Sequence, residues 1–428
     1  MKHLLAQLLM IAVMAVSPVP SRAAEPAAAS AVPAPLASSA PVATVLPPPP
    51  RDEANAAFWW RMDHPAANPL EAPYSSYWPL VPLKGEPGPF LPSAPQGHTT
   101  VPASALEEAS SYVEGSRGMA LIVVHRGVVQ LERYFNGFDA EQTFSAHSMA
   151  KTLGAMAIGV ALQEGRIRSL DQPASTWLKE WRDASRAAIT LRQLLTMSGG
   201  FRNEPNKVPG SHYIQLHYGA DVEAIVREAP LAYPPGTDFA WDNDNSHAIS
   251  LVVERATGQS YLDFVSTRLW KPLGASDAEQ MLDRPGGRAM AYCCIWSRAR
   301  DWVRIGQMLL DGGRWQGKQL LDERFVREMR APAPTNPAFG YQVYLGAAWK
   351  DPRLNRRAIA LGDDKVEAVA PDQFYLSGVG GLQLMIVPSE QLLVLRVGKS
   401  SPAWREPTLS NLLVGALRAV RAGPTEAR

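Results

Sequence analysis

Ser148 and Lys151 are the two residues of this chain whose types and spacing suggest chemistry. They stand three apart in Ser148-Met149-Ala150-Lys151, so on a helix they share one face. At a helix start, unpaired backbone N–H groups and the positive dipole end favour developing negative charge. A lysine in a dry cleft loses proton affinity, because desolvation disfavours its charged form. It can then take the serine proton and let the oxygen attack a carbonyl. Alone, Ser-x-x-Lys is a common tetrad, and an ordinary helix start with a solvated lysine has the same spelling. His147 precedes the serine but points about 100° away on a helix, so packing or a cap contact is expected of it.

Other patterns carry less. Gly312–Lys318 matches the first seven positions of a phosphate loop, but Gln319 follows where Ser or Thr is needed, so a turn is expected. Gly378, Gly380 and Gln383 approach a dinucleotide fingerprint but lead into a strand. No Gly-x-Ser-x-Gly occurs, which disfavours an α/β-hydrolase nucleophile elbow. The 8 histidines include no HExxH, so a helical zinc site has no support. No metal or organic cofactor is expected. The 2 cysteines, Cys293 and Cys294, are adjacent, which rules out a disulfide-stapled scaffold. Small buried thiols are expected there, with a vicinal disulfide as the alternative.

The elements that must position Ser148 and Lys151 follow from periodicity. Ser104 and Glu107 spell a capping box for a helix to about Glu114. Met119–Val124 and Val128–Tyr134 read as strands around an Arg126-Gly127 turn. A helix is expected from about Ser148 to Glu164, stopping at Gly165. Thr190 and Gln193 spell another capping box. The stretch from about 145 to 330 reads as mostly helical. Strand patterns return at Phe339–Leu345, Leu382–Val387 and Leu392–Val397. A last helix places Leu409, Leu412, Leu413, Ala416, Leu417 and Val420 on one face. The expected fold is α+β: an antiparallel sheet built from both ends of the chain, flanked by helices, with a mostly helical inserted domain.

Taken in order, these landmarks resemble the serine β-lactamase and penicillin-binding-protein superfamily in its class C-like branch. Within it the chain is most similar to 6-aminohexanoate-dimer (nylon-oligomer) hydrolases and related esterases. The resemblance covers roughly residues 101–420. It rests on Val123–Gly127 with Glu132–Gly137, Ser148–Lys151, Leu191–Gly200, Pro235-Gly236-Thr237, Thr257-Gly258, Pro272-Leu273-Gly274, Arg300–Gly306 and Gly378–Gly381. It implies a β-lactamase/transpeptidase-like fold and hydrolysis of an amide or ester through an acyl-enzyme. Ser148 would be the nucleophile and Lys151 the base. Asn243 would orient the acyl group, and Trp241, Gly380, Gly381 and Leu382 would line the substrate site. An N–H near Leu382 would join that of Ser148 in an oxyanion hole. Two positions depart from the family pattern. Trp241-Asp242-Asn243 stands where the family has Tyr-x-Asn, and an indole N–H donates but is no base. Val379 stands in the slot read as the third motif's Lys or His. The alternatives are a D-Ala-D-Ala carboxypeptidase or true β-lactamase, which Val379 disfavours, and a non-catalytic relative, which Trp241 favours.

Length and composition agree with an enzyme-sized secreted protein. The chain has 428 residues, 46% apolar and 19% charged, enough for a sizeable core. A net charge of +1 excludes a globally basic nucleic-acid binder. Residues 1–23 read as a cleavable signal peptide: Lys2 and His3, an apolar run from Leu4 to Val16, then Pro18, Pro20 and Ser21-Arg22-Ala23. Residues 24–50 read as an Ala/Pro-rich linker, 51–100 as an irregular, aromatic-rich wrap, and 101–428 as the hydrolase domain. The expected location is periplasmic or secreted, with no membrane span in the mature chain and a small-molecule substrate.

Overall fold

A computed structural model describes residues 51–64, 74–202, 212–346 and 368–422. The expected signal peptide and linker lie outside these residues. The wrap is more regular than expected. It forms a helix at Ala56–Asp63 and a strand, β1, at Leu80–Leu83. Phe58 and Tyr77 are buried, while Trp60 and Trp78 stay exposed. Arg61 ties this segment to the body. It is buried, and all five of its N–H groups find backbone carbonyls, those of Trp78, Tyr218, Gly219, Leu282 and Asp283. Burial pushes its guanidinium down to about 10.

The two apolar runs after the Ala103–Gly115 helix pair as β2 (Gly118–His125) and β3 (Val128–Tyr134). Arg126 and Gly127 both take positive φ, which suits a two-residue hairpin turn. β4 (Thr143–Ser145) then leads to the helix at Ala150–Gln163. β5 (Ala278–Met281) and β6 (Ile295–Arg298) follow, then the Ala299–Leu310 helix and a small hairpin, β7 (Arg314–Trp315) and β8 (Lys318–Gln319). The C-terminal part supplies β9 (Tyr344–Leu345), β10 (Phe374–Gly378), β11 (Leu382–Val387) and β12 (Leu392–Gly398).

The main sheet is antiparallel in the order β3-β2-β12-β11-β10-β9, so both ends of the chain build it. Alternation along its strands separates two apolar faces. Leu121, Val123, Met385, Val387, Leu392 and Val394 pack with the Ala103–Gly115 and Thr408–Ala422 helices. Ile122, Val124, Leu384, Ile386, Leu393 and Leu395 join the larger core on the other side. There the Ala299–Leu310 helix comes very close: a Cβ on Gly306 would lie 2.3 Å from Leu393 Cδ1.

Several expectations change. The middle region also holds a four-stranded sheet, β1-β5-β6-β4, whose short strands carry little periodicity. Only Tyr344–Leu345 of the expected Phe339–Leu345 strand forms, with a bridge from Phe339 to Tyr344. The Ser104–Glu107 capping box is absent, because the helix starts at Ala103 and Ser104 already lies inside its first turn. Glu107 instead takes both Nη groups of Arg133. The Thr190–Gln193 box forms as expected. In the last helix Val420 is exposed and Val414 buried, since the final turn carries Arg418 and Arg421 to Glu390 instead of packing on the sheet.

Candidate active site

β4 delivers the segment that carries Ser148. It pairs with β6, and the Ala146 N–H extends that ladder to the Ile295 carbonyl at 2.8 Å. His147 takes φ +45°, turning the chain into a 3-10 turn at His147–Met149 that continues into the Ala150–Gln163 helix. Met149, Ala150 and Leu153 are fully buried and fix the start of that helix, while Ser148 stays half-buried. Lys151 is buried, and its Nζ donates to Ser148 Oγ at 3.0 Å and to the Tyr292 carbonyl at 2.8 Å. The same Nζ lies 4.5 Å from the centre of the Trp241 ring. So the indole at the family's tyrosine position presents its π face to the lysine.

Asp242 caps the Asn243–Thr257 helix through the Asn245 N–H. Asn243 is buried, and its Nδ2 contacts His217 Nε2 at 3.2 Å. His217 Nδ1 lies 2.8 Å from the Tyr213 carbonyl, an acceptor only, so Nδ1 carries the hydrogen and Nε2 accepts from Asn243. Burial holds His217 neutral, pushed down to about 4. This orients the Asn243 amide with its nitrogen on His217 and its buried Oδ1 turned away. His147 is also pushed down to about 4, by burial and then by Lys151, so it is a poor base near neutrality. Its ring neighbours Tyr77, at 6.4 Å between centres.

The glycine positions are placed differently from expectation. β10, not β11, packs on the nucleophile turn. A Cβ on Gly378 would lie 2.7 Å from the Ala146 carbonyl oxygen. Gly380 instead faces Gly398 and Lys399, and Gly381 faces Arg396 and Trp404, in the β10–β11 turn. Leu382 is the register partner of Gly378, one strand further in. The Gly346 N–H bonds the Gln373 carbonyl at the β9 edge. Alternation puts Tyr375 and Ser377 on that edge and turns Gly378 towards Leu382, with Val379 in the turn just past the strand. β9 covers β10 only at Phe374 and Tyr375, and among the described residues no strand pairs with the edge beside Ser148. The backbone of Leu382, paired with Gly378, faces β10 within the sheet, not the β10 edge beside Ser148. β10 reads Phe-Tyr-Leu-Ser-Gly and carries no basic residue.

Residues 105–408 match the Beta-lactamase family. The chain belongs to that family. The family's 6-aminohexanoate-dimer hydrolase of Paenarthrobacter ureafaciens is 26% identical over 255 residues, covering 57% of this chain and 64% of that protein. Esterase EstB of Burkholderia gladioli is 29% identical over 163 residues, covering 35% and 41%. The chain thus matches less than two thirds of either relative's length. A structure from Bacillus anthracis assigned as a 6-aminohexanoate-dimer hydrolase superposes with a TM-score of 0.65 at 22% identity, over 84% of this chain and 97% of that one. The likeness carries the β-lactamase/transpeptidase fold, an antiparallel sheet flanked by helices.

Of the two readings for the cysteines, the vicinal disulfide is the one that forms, joining Cys293 to Cys294. They follow Tyr292 directly, and adjacency in sequence says nothing about bonding. Among the described residues no cluster of three His, Cys, Asp or Glu side chains could hold a metal ion. The Tyr292 carbonyl and Gly378 were not foreseen as part of the site. A backbone contact leaves no trace in side-chain identity, and only the hairpin register distinguishes Gly378 from Gly380.

Proposed function

We propose that this member of the Beta-lactamase family is a serine hydrolase that cleaves an amide or ester through an acyl-enzyme on Ser148. The observation that carries the proposal is the 3.0 Å contact of Lys151 Nζ with Ser148 Oγ at a helix start, with the lysine 4% exposed. With Nζ neutral, that line carries the serine proton to nitrogen while Oγ attacks the carbonyl carbon. The Tyr292 carbonyl engages one N–H of Nζ and helps aim its lone pair at Ser148. The developing oxyanion meets the Ser148 N–H and a second N–H beside it, from Ser377 on the β10 edge or from Val379 just past the strand. Lys151 then returns the proton to the leaving group, and water attacks the acyl-serine with Lys151 again as base. Relatives named for hydrolysis of a 6-aminohexanoate dimer and for esterase activity support this substrate class. The absence of a basic residue on β10 disfavours substrates that need a carboxylate anchor. The test is a fluorophosphonate probe together with a panel of short acyl esters, linear amides and β-lactams. A protein that neither takes the label nor turns over any of them is not this enzyme.

Trp241 sets the expected preference. Esters need little help at the leaving group, whereas amides need a proton delivered to nitrogen. With an indole at position 241, and the hydroxyl of the neighbouring Tyr292 committed to the Leu216 carbonyl, activated esters are expected to be cleaved in preference to linear amides. The ring's attraction for the lysine is worth about 0.5–2 kcal/mol. Phenylalanine keeps a π face and gives up only part of that attraction, so Trp241→Phe should lower ester kcat/KM by only about tenfold or less. Trp241→Tyr should preferentially raise amide turnover. The comparison is kcat/KM for a matched ester and amide in the three proteins. Loss of ester hydrolysis in the phenylalanine variant as complete as in Ser148→Ala would overturn this account of proton transfer.

The enzyme is proposed to act after export, with cleavage following Ala23. N-terminal sequencing of secreted protein checks this, and material beginning at Met1 in the membrane fraction would count against it.

A further inference from the structure

We propose that the Cys293–Cys294 disulfide positions Lys151 through the Tyr292 carbonyl, and that its reduction by a dithiol lowers hydrolysis at Ser148. The proposal rests on the Ser148–Lys151 reading above.

The disulfide lies between two backbone groups that hold the nucleophile segment. On its N-terminal side, the Tyr292 carbonyl accepts from Lys151 Nζ at 2.8 Å. On its C-terminal side, the Ile295 carbonyl accepts from the Ala146 N–H, also at 2.8 Å. Only Cys293 and Cys294 separate these two residues. Bonding adjacent cysteines closes an eight-membered ring around their shared peptide, which restricts the backbone at both. Cys294 is held at φ +69°, a left-handed conformation that non-glycine residues seldom adopt. The Cys293 N–H bonds the Met290 carbonyl at 3.0 Å, and Gln280 Nε2 reaches the Cys293 carbonyl at 3.1 Å. The Cys294 carbonyl takes the Met281 N–H at 3.2 Å. The ring is therefore fastened to β5 as well, and the direction of the Tyr292 carbonyl is set by the turn that the ring closes.

Tyr292 itself is fully buried, with its hydroxyl on the Leu216 carbonyl. Its side chain cannot swing to compensate for a shifted backbone. Cys294 is buried and Cys293 is partly exposed, so the Cys293 sulfur is the proposed point of attack by a thiolate. One thiolate of the dithiol attacks that sulfur and breaks the S–S bond, giving a mixed disulfide. The second thiol then displaces the cysteine. The protein gains two electrons and two protons as two thiols, and the dithiol leaves as a disulfide. Without the ring, Cys294 is free to leave the left-handed region, and the Tyr292 carbonyl is no longer held on Nζ.

The test uses the full chain with dithiothreitol as the dithiol and a short acyl ester as substrate. Thiol titration and mass spectrometry report the state of the pair. Reduction is expected to lower kcat about tenfold or more with KM changed by less than about twofold. It should also move the pH at which kcat rises, because the effect runs through the base. Reoxidation should restore both. The double variant Cys293→Ser, Cys294→Ser is expected to match the reduced protein and to ignore the dithiol, which covers a bond that resists reduction in solution. A protein with both thiols titrated that keeps its kcat and pH profile overturns the proposal. So does a serine variant that still loses activity to dithiol. Failure of the hydrolase reading looks different: Ser148→Ala would retain turnover and probe labelling.

Discussion

Ser148→Ala is expected to remove ester and amide hydrolysis and all covalent labelling by a fluorophosphonate, a loss on the order of 10³-fold or more. The basis is geometric. Ser148 Oγ sits at a helix start, 3.0 Å from a buried amine that can take its proton. Lys151→Ala should be comparably damaging, because nucleophile and base act as one unit and their losses do not add. Lys151→Arg should be no rescue, since a guanidinium does not give up its proton in this pH range. Turnover near the wild-type rate in either alanine variant would sink the assignment.

Arg61→Met is expected to have the largest effect on stability. The substitution keeps much of the side-chain bulk but leaves five backbone carbonyls without their donor. Unsatisfied buried acceptors cost about 1–3 kcal/mol each at most, and some will find water, so a total of about 3 kcal/mol is reasonable. For a folded unit of this size the unfolding entropy is roughly 0.8 kcal/mol/K, so the melting temperature should fall by about 4 °C. Two of those carbonyls, of Tyr218 and Gly219, end the helix that carries His217, the partner of the Asn243 amide. Ester kcat/KM should therefore fall as well. Arg61→Lys should be intermediate, having three N–H groups where arginine has five. A methionine variant that melts within about 1 °C of wild type would show that the wrap is held by other contacts.

The parts of this protein that were legible in sequence are those encoded locally. Ser148 and Lys151 stand three apart, and a helix must put them on one face. Thr190 and Gln193 cap a helix because both partners lie within one turn. The β2–β3 hairpin follows from two alternating runs and a turn that tolerates positive φ. Other parts depend on contacts that no side-chain pattern announces. The Tyr292 carbonyl that holds Lys151 comes from 141 residues away and is a backbone group. The five carbonyl partners of Arg61 could belong to any residue type. Gly380 and Gly381 fitted the glycine-rich spelling as well as Gly378 did. Only the pairing of Gly378 with Leu382 decides which glycine approaches Ser148. The Ser104–Glu107 box failed by two residues, because Pro102 takes the N-cap position before it.

The order of strands in the main sheet also determines when the site can exist. β2 is made early, yet its neighbour is β12, whose residues end at Gly398. The edge that faces Ser148 belongs to β10, which begins at Phe374. A growing chain therefore carries its serine and lysine for more than half of its synthesis without the β10 edge, although β6 can pair with β4 earlier. Pairings this distant in sequence form slowly, and they form only after the last third of the molecule has emerged. Assembly of the candidate site is thus tied to synthesis through β12. A nascent or prematurely stopped chain carries Ser148 and Lys151 but cannot assemble the sheet edge beside them.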